Sequence, residues 1–294
     1  MTGTCVPVQQ LVKTRPYLVG IDSDGCAFDT MEIKHKECFI PNIIAHWGLQ
    51  PVSKYAREAA EFVNLYSHWR GINRFPALLM TFDLLRERPE VIRRGAVIPT
   101  ADSLREWCGR ETKLANNTLK AEAERTGDAV LQQALCWSQA VNDAVAHMVH
   151  GVPPFPGVRE SLERLAEHAQ CIVCSATPGE ALQREWEEHD IARYVDAICG
   201  QEVGSKTEHL RMAMGDRWDA AHVLMIGDAL GDYKAACANQ ALFFPINPGH
   251  EEQSWQEFLD EGCTRFLNGT FAGEYQQRLL DAFTQYLPDT PPWR

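Results

Sequence analysis

The sequence predicts an α/β protein with a parallel sheet, into which a helical domain is inserted. From residue 156 onward, helical and strand-like segments alternate, which is typical of helices that cover a parallel sheet. A short apolar segment over residues 17–21 has the length and residue types of a core strand. Residues 31–150, in contrast, contain almost no strand-like pattern. We therefore expect a discontinuous α/β core formed by residues 1–30 and 151–294, and a helical bundle over residues 31–150.

The composition and charge indicate a globular protein whose partner is not a nucleic acid. Hydrophobic residues make up 45% of the 294-residue chain, charged residues make up 23%, and the net charge is −12. A strongly negative chain disfavours binding to a phosphate backbone. Residues 31–150 hold 15 Lys and Arg against 14 Asp and Glu, whereas the remainder holds 13 against 26. The net charge is thus +1 for residues 31–150 and −13 for the rest of the chain, and this difference supports a division into two domains.

The cysteine content and the absence of a targeting pattern predict a cytoplasmic protein with reduced thiols. The first residues contain no apolar signal region, and no apolar run is long enough to cross a membrane. Ten cysteines are present, and without a secretory signal they are expected to be free. Cys171 and Cys174 form a C-x-x-C pattern inside an apolar run. We expect them to be buried strand residues, since no second ligand pair accompanies them.

The first elements of the alternating region are predicted from apolar spacing and from glycine and proline. A helix over residues 156–168 begins with Pro-Gly and carries Val158, Leu162 and Leu165 at helical spacing. The apolar run over residues 171–176 is a strand. The helix over residues 178–190 has proline at a first helical position.

The remaining elements continue this alternation to the end of the chain. Short apolar runs over residues 194–200, 222–228 and 241–246 predict strands. The helix that follows the first of these strands ends at a glycine. The predicted helices of this region cover residues 206–215 and 231–239, and two amphipathic helices lie within residues 251–287.

Polar side chains stand where the predicted strands end. Asp22 and Asp24 follow the first strand, although a carboxylate is costly to bury alone. In an open parallel sheet, ligands bind outside the carboxyl ends of the strands. We therefore expect the polar residues at these ends to form one charged site. The residues that follow the later strands are Ser175, Lys206, Asp228 and Asp232.

The order of these motifs resembles the haloacid dehalogenase (HAD) superfamily. A D-x-D-G motif, a strand-ending serine, a loop lysine and a G-D-x-x-x-D motif follow one another on the alternating pattern. The match covers residues 16–30 and 155–246, and the segment over residues 154–165 also resembles the family. A helical insert directly after the first motif resembles members with an α-helical cap, in placement and helical character only. The resemblance implies a Rossmann-like HAD core with an inserted cap.

The resemblance also implies a role for each motif residue. Asp22 would be the nucleophile that attacks phosphorus, and Asp24 would be the general acid and base. Gly25 would offer its backbone N–H to the phosphate. Ser175 and Lys206 would bind phosphoryl oxygens, and Ala176 would belong to the substrate-binding positions. Mg²⁺ would be held by Asp22, the Asp24 carbonyl and Asp228, with Asp232 adding charge or holding Lys206.

Each motif residue outside D-x-D-G also has a structural alternative when it is considered alone. Asp228 could cap a helix, and Asp232 could complement the helix dipole in a first turn. Ser175 could cap the next helix, although Thr177 is better placed to do so. Lys206 could be an ordinary surface lysine. Their joint occurrence, in this order, favours the site.

The expected function is a Mg²⁺-dependent phosphohydrolase that acts on a small phosphorylated metabolite, with neither nucleic acid nor membrane as partner. An acid at position 24 is absent from the dehalogenases and phosphonatases of the superfamily and present in its phosphatases and phosphomutases. The main alternative is a sugar phosphomutase of the beta-phosphoglucomutase type. A phosphonatase that uses a cap lysine and a non-catalytic domain that binds a phosphorylated metabolite remain less favoured alternatives.

Within the cap, four residues are candidates for substrate contact. Arginine suits an anionic or polyhydroxylated substrate because its planar group offers several donors. A surface position at a helix–helix connection is an equally good interpretation for the arginines. The candidates are Lys34, Arg70, Asn73 and Arg74.

Overall fold

A computed structural model describes residues 5–294 and confirms the predicted α/β fold class. Its centre is a five-stranded sheet in which every neighbouring pair is parallel, with the order β3-β2-β1-β4-β5. The strands are β1 (Tyr17–Ile21), β2 (Ala169–Cys174), β3 (Ala197–Cys199), β4 (Val223–Gly227) and β5 (Leu242–Pro245). The order places β1 at the centre, so the residues that follow it face the ends of β2 and β4.

Both faces of the sheet are covered by helices, which explains why the central strands are apolar throughout. Successive side chains of a strand point to opposite faces. Val19 accordingly belongs to one buried cluster and Leu18 to the other. Cys171 and Cys174 are divided between the same two clusters. The C-x-x-C pattern is therefore a pair of buried strand residues, as expected.

The chain between β1 and β2 forms helices and, within residues 32–150, contains no strand. These helices are α1 (Thr30–Ile33), α2 (Ile40–His46), α3 (Ser53–Asn64), α4 (Arg74–Glu87), α5 (Pro89–Arg93), α6 (Asp102–Arg110), α7 (Asn116–Thr126) and α8 (Ala129–Met148). A π-helical segment, Lys34–Phe39, connects α1 to α2. Such segments occur mostly as local bulges, often at functional sites.

From residue 156 onward, the observed helices follow the predicted ones within a few residues. They are α9 (Val158–Ala166), which lies just before β2, and then α10 (Gly179–Glu188), α11 (Lys206–Met214), α12 (Leu230–Ala238), α13 (Glu251–Glu257), α14 (Cys263–Leu267) and α15 (Glu274–Tyr286). The π-helical segment Phe258–Gly262 joins α13 to α14. The strand predicted over residues 194–200 is shorter, because a 3₁₀ turn, Ala192–Tyr194, occupies its start.

The chain divides into two compact units, one α/β and one helical. Of the described residues, the α/β unit contains residues 5–31 and Gly151–Leu287, and the helical unit contains Glu32–His150 and Pro288–Arg294. The last seven residues, which we had assigned to the α/β domain, thus belong to the helical unit. The Trp293 ring packs edge-on against Phe62 there, with 5.8 Å between ring centroids.

Among residues 5–294, no helix combines the length and the apolar character that crossing a membrane requires.

Candidate active site

A tight loop carries Asp22 and Asp24 away from the end of β1. The Asp22 N–H donates to the carbonyl oxygen of Ile226 at 3.0 Å, which ties the loop to β4. Gly25 has a φ of 75°, in the left-handed region that favours glycine. Its N–H donates to the Phe28 carbonyl at 2.8 Å. The expectation that this N–H is available to a phosphate is therefore corrected, since the turn of the loop uses it.

Three carboxylates and one ammonium group meet at the ends of β1 and β4. Lys206 Nζ donates to Asp22 Oδ2 and to Asp232 Oδ1, at 2.6 Å in each case. Carboxylate oxygens of Asp22, Asp228 and Asp232 lie within 4.8 Å of one another. All three acids are buried, and the lysine is partly buried. The structure thus brings together four of the predicted site residues.

Burial disfavours the charged form of two acids in this cluster, Asp22 and Asp232. Burial raises the pKa of Asp22 well above its usual range, and the neighbouring acids add to this effect against the opposing charge of Lys206. Burial likewise raises the pKa of Asp232. Although burial lowers the pKa of Lys206, the surrounding carboxylates outweigh it and raise that pKa overall. Lys206 is consequently charged at neutral pH.

Capping interactions at two helix starts place the lysine and the last aspartate. Ser205 and Glu208 form a reciprocal capping box at the start of α11, which puts Lys206 in the first turn. At the start of α12, Asp232 Oδ2 accepts a hydrogen bond from the Ala229 N–H at 3.1 Å. The S-x-x-E pattern that marks the first cap was visible in the sequence.

The glycine of the G-D motif permits a close approach of Asp232 to the backbone. A Cβ atom on Gly227 would lie only 2.3 Å from Asp232 Cγ. Any other residue would therefore displace Asp232 and, with it, one of the two acceptors of Lys206. The structural alternative for Asp232 holds in part, because this carboxylate caps α12 with one oxygen and binds Lys206 with the other.

The end of β2 supplies two hydroxyl groups to the site. The Ser175 N–H donates to the Cys199 carbonyl at 3.0 Å, and Ser175 Oγ accepts from the Thr177 N–H at 3.1 Å. The Thr177 hydroxyl donates to Asp24 Oδ2 at 2.7 Å. The idea that Thr177 caps the next helix is corrected, because its hydroxyl binds Asp24 while Pro178 occupies the N-cap position of α10. Ala176, between these two residues, is exposed.

Asp24 receives a second hydroxyl, which the sequence analysis did not identify. Thr30, in the first turn of α1, donates its hydroxyl to Asp24 Oδ1. Both carboxylate oxygens of Asp24 are thus oriented by threonines. In the sequence, the indication of these two hydrogen bonds is that one threonine directly follows the loop and another follows shortly after β2.

The donor set fits a hard divalent cation. Mg²⁺ prefers oxygen ligands, and the cluster offers carboxylate oxygens only. A cation among these three buried carboxyl groups would offset the repulsion between them. Carboxylate oxygens of Asp22, Asp228 and Asp232 lie within 4.8 Å of one another, so these three side chains are the candidates to hold the ion.

Two of the four cap candidates have structural roles in the helical unit. Arg70 is 4% exposed and donates to the Leu65 carbonyl at 2.8 Å. Asn73 is the N-cap of α4: its Oδ1 accepts from the Phe75 N–H at 3.1 Å, and its Nδ2 donates to the Leu114 carbonyl at 2.9 Å. Arg70 is thus buried, and Asn73 is exposed but caps a helix. Substrate contact by either residue stays a prediction.

Arg74 and Lys34 are both half-buried. Arg74 donates to Asn142 Oδ1 at 2.7 Å and to both oxygens of Ser138, and its guanidinium lies 5.0 Å from the centre of the Phe39 ring. Burial lowers its pKa to about 10. All of these acceptors are neutral, and in the described part of the chain no carboxylate pairs with Arg74. Lys34 is half-buried, at the start of the π-helical segment.

Comparison with known proteins identifies the family. Residues 99–244 match the family model of haloacid dehalogenase-like hydrolases, a range that includes Ser175, Lys206 and both aspartates of the G-D motif. A haloacid dehalogenase-like family hydrolase from Streptococcus pneumoniae has the same fold, with 13% identity, a TM-score of 0.50, and coverage of 91% of this chain and 98% of that one. The expected family and its α/β core are thereby confirmed.

Two further solved structures resemble this chain more weakly. One is from Bacillus subtilis and is described as a HAD hydrolase bound to magnesium, with 11% identity, a TM-score of 0.44, and coverage of 80% and 88%. The other is a predicted phosphoglycolate phosphatase from Haemophilus somnus, with 15% identity, a TM-score of 0.43, and coverage of 83% and 96%. No curated protein matches the chain significantly.

Proposed function

We propose that this HAD-type hydrolase is a Mg²⁺-dependent phosphatase that cleaves a small phosphate monoester through an aspartyl-phosphate on Asp22. The observation that carries the proposal is the bridge that Lys206 forms between Asp22 and Asp232. It holds a buried carboxylate beside a fixed positive charge at the carboxyl end of β1. Phosphoryl transfer depends mainly on such positioning and charge compensation.

The two aspartates of the first motif divide the chemistry between them. An oxygen of Asp22 attacks phosphorus and displaces the alcohol, forming an acyl phosphate. Asp24 protonates the departing oxygen and then removes a proton from the water that hydrolyses the acyl phosphate. The hydroxyls of Thr30 and Thr177 hold the Asp24 carboxyl during both steps. Ser175 and Lys206 bind phosphoryl oxygens.

Asp22, Asp228 and the Asp24 carbonyl would hold Mg²⁺. When bound, the ion supplies positive charge that offsets the repulsion between the acids and an anionic substrate. Asp232 keeps Lys206 in place. Because the carboxylates of the cluster repel a dianionic phosphoryl group, we expect its binding to be weak without the cation.

Arg74 is the cap residue that we propose for substrate recognition. Its positive charge has only neutral hydrogen-bond partners, so an anionic or polyhydroxylated part of the substrate would find an uncompensated donor there. The proposed partner is accordingly a small phosphorylated metabolite with further polar groups.

The experiment that tests the proposal is a screen of phosphorylated metabolites for phosphate release, with Mg²⁺ and with EDTA. Asp22→Asn, which preserves the shape of the side chain, serves as the matched control for contaminating phosphatases. We expect release that requires both Mg²⁺ and Asp22. Release that persists in Asp22→Asn would contradict the proposed nucleophile, and the absence of release from every compound would contradict the phosphatase activity.

A further inference from the structure

A buried serine separates the two aspartates of the first motif. Ser23 is fully buried, and its hydroxyl makes two hydrogen bonds to successive residues of α10. Its Oγ accepts from Trp186 Nε1 at 3.0 Å and donates to Glu185 Oε2 at 3.1 Å. The hydroxyl thus links an indole N–H to a carboxylate, an arrangement in which each hydrogen bond polarises the next.

The backbone of Ser23 organises the rest of the loop. Its N–H donates to Asp22 Oδ1 at 2.8 Å. Its carbonyl oxygen accepts from the N–H groups of Cys26, Ala27 and Phe28, at 3.3, 2.9 and 3.0 Å. Both backbone polar groups and the side chain of Ser23 are therefore used to fix the loop that carries the aspartates.

Two tryptophans hold this loop from different helices. Trp186, besides its bond to Ser23, packs edge-on against Phe28 at 5.7 Å between ring centroids. Trp255, on α13, donates its indole N–H to the Cys26 carbonyl at 2.8 Å. Both indoles are completely buried. Of these two indole contacts, the one through the Ser23 side chain lies nearer the start of the loop, because the Trp255 contact lies three residues further on.

We propose that Ser23, held by Trp186 and Glu185, is a positioning residue that keeps the Asp24 carboxyl in line with the bond to be broken. The inference rests on the proposed function, since it concerns the residue that protonates the leaving group. Without the hydroxyl, the peptide between the aspartates loses its attachment to α10. Asp22 keeps its bonds to Ile226 and Lys206, so the proton transfer by Asp24 suffers more than the attack by Asp22.

Ser23→Ala tests this inference through the dependence of kcat/KM on the leaving group. A nitrophenolate departs without a proton, whereas an alkoxide needs one from Asp24. We expect kcat/KM to fall only about 2- to 3-fold for p-nitrophenyl phosphate and about 10- to 100-fold for an alkyl phosphate. An equal loss for all substrates, or no loss, would overturn the inference.

Ser161→Ala is the matched control. Ser161, on α9, is also a fully buried serine of the α/β unit, and in the described residues its hydroxyl has no hydrogen-bond partner. We expect Ser161→Ala to leave the dependence of kcat/KM on the leaving group unchanged. A selective loss on alkyl phosphates in Ser161→Ala would contradict the assignment to Ser23. Should Ser23→Ala not fold, Trp186→Phe removes the indole donor and keeps an aromatic ring beside Phe28, and the same selective loss is expected.

Asp22→Asn in the same substrate series separates this inference from the proposed function. If Asp22→Asn is inactive while Ser23→Ala loses activity equally on all substrates, the nucleophile stands and only the positioning role fails. If Asp22→Asn remains active, the aspartyl-phosphate route and the inference both fail.

Discussion

The Thr177 hydroxyl donates a 2.7 Å hydrogen bond to Asp24 Oδ2 and so connects the end of β2 to the loop after β1. The donor comes from a residue 153 positions away in the sequence. Since Thr30 binds the other oxygen, the carboxyl plane of Asp24 is fixed from two directions. A proton donor that is held in this way loses little orientation entropy at the moment of reaction.

Thr177→Val is expected to reduce turnover of alkyl phosphates by about 10-fold, since it removes this donor and nearly preserves the side-chain shape. Thr177→Ser, which keeps a hydroxyl, should restore most of the activity. Steady-state kinetics on both variants measure the effect. Equal activities of the valine and serine variants would contradict the role of the hydroxyl.

Asp228→Asn is expected to weaken Mg²⁺ binding, because it replaces a charged ligand of the buried cluster with a neutral one. Isothermal titration calorimetry with Mg²⁺ measures the affinity directly, and phosphate release measures the effect on turnover. Exposed Asp216, on the same unit, provides the control variant Asp216→Asn, which should bind Mg²⁺ as the unmodified protein does. Unchanged affinity in Asp228→Asn, or full activity in EDTA, would contradict the proposed ligand set.

Lys206→Met is expected to make the stability of the fold depend more strongly on Mg²⁺. The substitution removes the ammonium partner of Asp22 and Asp232 from a cluster of three buried acids, and a cation that binds the folded state stabilises it. Melting temperatures with Mg²⁺ and with EDTA should differ more in Lys206→Met than in the unmodified protein. The exposed residue Lys234 supplies the control Lys234→Met, and an equal difference in all three proteins would contradict the expectation.

Local patterns predicted most of the α/β core. The apolar run that became β2 and the spacing of Val158, Leu162 and Leu165 on α9 depend on period and residue type, which a sequence displays directly. The charged cluster followed from one topological rule, because residues at the carboxyl ends of adjacent parallel strands meet at one edge of the sheet.

Features that depend on contacts between distant segments were not predicted. The hydroxyl of Thr177 could have capped α10, and only the position of the loop after β1 offers it Asp24 instead. The burial of Arg70 and the packing of Trp293 against Phe62 likewise depend on how helices pack in the helical unit. The Gly25 N–H was assigned to a phosphate because the turn that uses it is not visible in the sequence.

Arg70 and Arg74 are expected to behave differently when each is replaced by alanine. Arg70→Ala should lower the free energy of unfolding by about 1–3 kcal/mol, because it removes a buried donor from the Leu65 carbonyl.

Arg74→Ala should reduce turnover of the best metabolite found in the screen more than turnover of p-nitrophenyl phosphate, which has no remote group to bind. Chemical denaturation and paired kinetics measure these effects. An equal loss on both substrates in Arg74→Ala would contradict its role in recognition.

The central claim, that Asp22 is phosphorylated and that Asp24 is the acid and base, is tested most directly by intact-protein mass spectrometry of Asp24→Ala. With p-nitrophenyl phosphate, whose leaving group needs no proton, phosphorylation of Asp22 can proceed, while hydrolysis of the acyl phosphate lacks its base. Acid–base assistance contributes about 10²- to 10⁴-fold, so hydrolysis should become the slow step. We predict that acid-quenched Asp24→Ala carries one phosphoryl group and that the double variant Asp22→Asn/Asp24→Ala carries none. A phosphoryl group on another residue, or turnover of Asp24→Ala equal to that of the unmodified protein, would contradict the account.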